Sequence, residues 1–328
     1  MSSKASSSEK VSSSEKAELE IYKGAGGLKK VVLRDFSGYS AEVSLYGGQV
    51  TSWKNKRGEE LLFVSSKSAY KPPKPIRGGI PLCFPKFSNN GSLEQHGFAR
   101  IRFWNIDPSP PPLPTNSSYK TFVDLILSPK DLLPNDKTFW PHSFECRLRV
   151  ALGLTGELLL TSRIRNINTD GKPLTFSFAY HTYFLVSDIS EVRVEGLETT
   201  DYLDNLQNKE RFTEQGDALT FESEVDKVYV SAPTKIAILD HAKKQTFVIY
   251  KEGLPDVAVW NPWDKKAKAL GDFGYDEYTR MLCVSPAAVE TPITLKPGEE
   301  WTGRQKLCAV PSSYCSGQLD PQRVIRGN

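Results

Sequence analysis

Apolar and polar residues alternate with a period of two along much of this chain. The alternation is clear at Lys30–Arg34, Ser40–Tyr46, Glu145–Ala151 and Glu157–Arg165, and turn-forming Gly, Asn, Asp or Pro flank the segments. Side chains of an extended strand point to opposite faces in turn, so this pattern is that of strands with one face buried. Further strands are predicted at 175–184, 191–197, 227–231, 235–240, 245–250 and 280–284. No stretch of twelve or more residues carries a capped 3.6-residue apolar stripe. Many short strands with regular turn signals predict an all-β fold, an antiparallel β-sandwich. The 328 residues exceed the usual domain length, but β-rich single domains run to about 250 residues. One domain over 18–310 is therefore expected.

Two kinds of segment interrupt the alternation. Asp107-Pro-Ser-Pro-Pro-Pro-Leu-Pro-Thr115 cannot donate to a ladder and reads as a stiff loop within the domain. Residues 1–17, with Ser-Ser-Ser-Glu-Lys at 6–10 and again at 12–16, read as a disordered solvated tail, and 311–328 as a polar C-terminal tail. The first segment has no apolar signal core, and it carries Glu9 and Glu15 with no Arg before Arg34, unlike a transit peptide.

Charge and cysteine usage narrow the function classes. With 42 basic and 39 acidic side chains the net charge is +3, and no dense basic tract supplies a nucleic-acid footprint. No run of 18 apolar residues predicts a membrane span. Five cysteines, with no CxxC pair or metal-ligand spacing, read as reduced thiols in a cytoplasmic protein. Cys83 reads as an ordinary buried cysteine. Phosphate-cradling, dinucleotide, nucleophile-elbow and zinc-protease motifs are all missing from the sequence.

Three regions hold candidate chemistry. Arg77-Gly-Gly-Ile-Pro-Leu-Cys-Phe-Pro85 and Gln95-His-Gly-Phe-Ala-Arg100 combine two arginines, an amide and an imidazole in loops. A fixed arginine fork suits a phosphate or carboxylate, and glycines at 78 and 79 suggest close approach of a ligand to the backbone. The other reading of such an arginine is a pair with a core carboxylate. His181, in the aromatic run Phe176–Phe184, is either a proton donor or acceptor titrating near neutrality or a structural histidine bonded to a tyrosine. His96 reads as a ligand contact or loop anchor. Trp260 and Trp263 around Asn261 offer either a flat wall for a sugar, with Asn261 bonding hydroxyls, or ordinary core packing.

Taken together, Arg77-Gly-Gly-Ile-Pro, Gln95-His-Gly-Phe-Ala-Arg100, His181-Thr-Tyr-Phe, Glu224-Val-Asp226, Val259-Trp-Asn-Pro-Trp and Met281-Leu-Cys-Val resemble the hexose-6-phosphate mutarotases of the aldose 1-epimerase superfamily. The closing Thr-Leu-Lys-Pro-Gly-Glu-Glu-Trp-Thr-Gly is similar to plant members. The resemblance spans nearly all of 20–310 and implies a galactose-mutarotase-like β-sandwich without a cofactor or metal. It implies a small hexose 6-phosphate as substrate, and a monomer is expected. Arg77 and Arg100 would hold the phosphate, Gln95 a hydroxyl or the same phosphate, Asp226 the ring hydroxyls, and His181 would be the acid at the ring oxygen. The chemistry is ring opening at C1–O5, rotation about C1–C2 and reclosure on the other face, with an acid at O5 and a base at the anomeric hydroxyl.

Two positions depart from the family pattern. The family's base glutamate falls on Ser285, whose neutral hydroxyl cannot take up a proton unaided, and Lys86 stands where glutamine is usual. Glu290 is the nearest acid to follow; its odd offset from Ser285 puts it on the opposite strand face unless Pro286 turns the chain. The alternative reading is thus a sugar-phosphate-binding protein with impaired turnover, and a phosphate-independent carbohydrate-binding module is a third.

Overall fold

The structure, a computed structural model, describes residues 20–88, 93–112 and 121–312. The expected N-terminal tail, residues 113–115 of the proline segment and residues 313–328 lie outside these. Every named ladder is antiparallel, in one four-stranded and two eight-stranded sheets. The four-stranded sheet is a meander of Glu20–Lys23, Lys29–Arg34, Ser40–Ser44 and Gln49–Lys54. One eight-stranded sheet has Glu300–Pro311 near its centre, between Gln245–Glu252 and Leu158–Asn166. The other has Met281–Leu295 as its longest strand, paired with Asp256–Asn261 on one side and with Leu174–Tyr180 and Tyr183–Leu185 on the other.

The period-two pattern decides which face meets the core. On Met281–Leu295, Leu282, Val284 and Ala288 join the main apolar core, with Phe178, Tyr180, Val257 and Val259 from neighbouring strands and Leu148, Leu160, Ile249 and Leu307 from the opposing sheet. The alternate residues Met281 and Cys283 pack outside it with Tyr183, Phe63 and Trp260, and Ala287 with Cys83 and Ala179. This second face of the sheet is where the polar candidates gather.

Among the described residues helix is confined to short pieces, the α-helices being Pro134–Phe139 and Trp263–Ala269. Several expected boundaries move. The expected strand 175–184 is broken at His181-Thr182 into two. The strand expected at 280–284 runs on to Leu295, so Pro286 makes no turn. Its missing N–H is tolerated because it falls in the interval between the Ala179–Ala287 and Tyr183–Cys283 pairs, where the ladder is interrupted. The last strand reaches Pro311, the first residue of the segment expected as a C-terminal tail.

Candidate active site

Strand register builds the centre of the site. Ala179 pairs with Ala287 and Tyr183 with Cys283, so one shared register sets His181 directly across from Ser285. Their side chains meet there: His181 Nδ1 lies 3.1 Å from Ser285 Oγ, and both residues are buried. Around the imidazole stand the rings of Tyr183 at 4.7 Å, His96 at 5.6 Å, Trp260 at 6.0 Å and Phe87 at 6.4 Å between centroids. The aromatic run thus makes a box for one polar ring.

Two guanidinium groups act on that ring. Burial, then Arg77 and then Arg100, lower the His181 pKa to about 3. The expectation of titration near neutrality is corrected by this: the imidazole is deeply buried between two cations and is neutral at pH 7. His96 is lowered well below its ordinary value by burial, His181, Arg100, Arg77 and Lys86 in turn. Its Nδ1 accepts the Ser88 N–H at 3.1 Å, so it anchors its loop while its ring stacks on His181.

The arginines are held in different ways. Arg77 Nε donates to Asp272 at 3.1 Å and its Nη1 to the Tyr183 hydroxyl at 3.3 Å. The two readings of this arginine therefore coincide, since a carboxylate orients the fork that remains. Arg100 Nη2 donates to the Gln95 carbonyl at 2.8 Å, and its Nε is buried without a hydrogen-bond partner. An unpaired buried guanidinium N–H is unfavourable, whereas Nη1 of the same fork is neither bonded nor among the buried unpartnered atoms. The Gln95 side chain is exposed. Gln95 and Arg100 also line a surface groove of about 850 Å³ with Pro73, Ile101, Leu133 and Phe139, of which His181 and Arg77 are not lining residues.

The glycines serve a different purpose from the expected one. At Gly78 (φ +120°) an added Cβ would lie 2.4 Å from the Phe63 carbonyl, and at Gly79 (φ +62°) 2.2 Å from the Val50 carbonyl. The clearance admits neighbouring backbone, not a ligand, and the packed backbone fixes where Arg77 leaves the chain.

Asp226 pairs across strands with Trp260, which pairs with Cys283. It therefore stands on the site face, one row beyond Ser285. Its Oδ1 accepts from Asn205 at 2.7 Å, and burial raises its pKa. Asn261 is corrected as a sugar contact. It is fully buried, its amide donates to the Tyr278 and Met281 carbonyls, and its oxygen accepts the Trp263 N–H, which locks the entry to the short helix. Glu290 is exposed and bonded to Arg211 at 3.2 Å, as the odd offset requires, away from the imidazole. Asp272, to which the sequence analysis gave no role, is the carboxylate that pairs with Arg77; only its position after a loop glycine hinted at it.

A family model described as aldose 1-epimerase matches residues 29–308. The chain belongs to the aldose 1-epimerase family. A protein of Cenchrus ciliaris provisionally named glucose-6-phosphate 1-epimerase is 71% identical over 94% of this chain and 93% of its own. An Escherichia coli protein with the same provisional name is 29% identical over 78% of this chain and 82% of its own. The crystal structure of a provisionally assigned mutarotase from Salmonella typhimurium superposes with a TM-score of 0.76 at 22% identity, over 89% of this chain and 97% of that one. The galactose-mutarotase-like sandwich expected from the motifs is the fold observed.

Proposed function

We propose that this chain interconverts the α and β anomers of glucose 6-phosphate or a similar hexose 6-phosphate, as a cytoplasmic monomer. The observation carrying this is geometric: Arg77 is bonded to the Tyr183 hydroxyl at 3.3 Å and the Tyr183 ring lies 4.7 Å from that of His181, which sets a guanidinium beside a buried imidazole on which Arg100 also acts, an arrangement suited to a ligand with an anionic end and a ring to be opened. The phosphate bridges the Arg100 Nη1 and the free edge of the Arg77 fork, charge-assisted bonds that a neutral sugar cannot make. Asp226 accepts from ring hydroxyls, and Trp260 covers the ring's flat face. The His181 N–H polarises O5 as the C1–O5 bond breaks, and O5 takes up a proton from solvent to become the hydroxyl of the open-chain aldose. With serine at 285 the anomeric proton passes to solvent, so half of the usual acid–base assistance, a factor of about 10²–10⁴ per group, is missing.

Anomer exchange followed by magnetisation-transfer NMR tests the reading. Glucose 6-phosphate is expected to exchange faster than its spontaneous rate and free glucose not to. Binding without acceleration would convert the protein into a sugar-phosphate receptor, the reading that Ser285 keeps in view. Equal affinity for glucose and its 6-phosphate would remove the phosphate from the site altogether.

A further inference from the structure

Ser285 has a specific bond in this site, and its direction has a chemical consequence. The hydroxyl is fully buried, and its hydrogen-bond partner is His181 Nδ1 at 3.1 Å. Were the ring to donate from Nδ1, the serine hydrogen would be left buried and unpaired, which is the unfavourable arrangement. Donation by the serine satisfies both groups. The other ring nitrogen, Nε2, is neither bonded within the described protein nor among its buried unpartnered atoms, so it reaches the cleft.

We infer that Ser285 is a positioning residue that donates to Nδ1 and holds His181 as the neutral Nε2–H tautomer, with that N–H aimed at the sugar ring oxygen. The surroundings agree. Arg77 and Arg100 both disfavour an added proton on the ring, and no carboxylate is among the charges acting on it. A donor at Nδ1 disfavours it again. The imidazole therefore works as a neutral electrophile that polarises the ring oxygen, a role in which a lowered pKa is an asset. Serine at the position of the family's base then does more than leave a gap: it orients the acid.

The inference rests on the mutarotase reading for its use, but the tautomer is observable without turnover. ¹⁵N–¹H correlation of the histidine rings at pH 7 is expected to show His181 Nδ1 bare and Nε2 protonated. Ser285→Ala is expected to mix the tautomers and lower kcat about two- to tenfold, the scale of one neutral hydrogen bond, at unchanged KM. Ser285→Thr, which keeps the hydroxyl, is expected to restore both. A wild-type ring protonated at Nδ1, or a Ser285→Ala ring with its tautomer unchanged, would overturn the inference even if the enzyme is active. Should Ser285→Ala or Ser285→Thr not fold, the wild-type spectrum alone decides. Absence of anomer exchange with the Nε2–H tautomer in place would instead count against the mutarotase reading.

Discussion

In the proposed mechanism Arg100 and Ser285 are the residues on which the chemistry turns, and each yields a measurable expectation. Arg100→Ala removes charge-assisted bonds of about 1.5–3 kcal/mol, so affinity for glucose 6-phosphate should fall by about 10–100-fold in calorimetry. Binding that is unchanged would place the phosphate elsewhere. A bound phosphate dianion also offsets the two guanidinium charges that lower His181. Its pKa should accordingly rise above about 3 when glucose 6-phosphate is added, as an NMR titration of the ring would show; an unmoved value would separate the ester from the arginine pair. Ser285→Glu trades one neutral hydrogen bond for a proton acceptor. A gain of about 10²–10⁴-fold exceeds a loss of about tenfold or less, so anomer exchange should accelerate.

At the scale of elements, the loop carrying Arg77 is rigid because backbone packs on backbone. Ile80 N donates to the Val50 carbonyl and Gly79 N to the Phe63 carbonyl, at 2.9 and 2.7 Å. Gln49 binds the Ile76 and Gly78 carbonyls beneath them. A Cβ at Gly79 meets the Val50 carbonyl in a left-handed conformation. Gly79→Ala should thus cost about 2–4 kcal/mol in urea unfolding and weaken phosphate binding, because the arginine loses its fixed origin. Unfolding at the wild-type midpoint would show that the loop yields and the packing argument is wrong. The broken strand at His181-Thr182 is the other device: the same interruption leaves the imidazole facing Ser285 and makes room for Pro286.

For the whole molecule, burying two imidazoles among cations ties stability to pH. The unfolded chain protonates its histidines below about 6.5, whereas native His181 resists until about 3 and His96 is also lowered. The unfolded state therefore binds more protons in this window, and stability falls as pH drops from about 6.5 toward 3. Urea midpoints are expected to decline between pH 7 and 5, above the range where most carboxylates titrate, and the decline should shrink in a His96→Gln/His181→Gln variant. A flat profile over that interval would mean that neither ring is held neutral by the fold.

The sequence by itself determined the strand pattern, the family motifs and the choice of Arg77, Arg100, His181 and Asp226 as candidates, because a period of two and motif order are local properties of the chain. It also exposed the anomaly at Ser285 and the wrong face for Glu290. Tertiary structure alone decided what those side chains do. The Asp272 partner of Arg77 lies 195 residues away, and the Ser285 partner of His181 lies 104 away, beyond any local periodicity. The burial that neutralises the imidazole depends on sheets meeting in space, as does the backbone that fills the room left by Gly78 and Gly79. Asn261 shows the same limit: its residue type suits a sugar, but its surroundings had already claimed its amide.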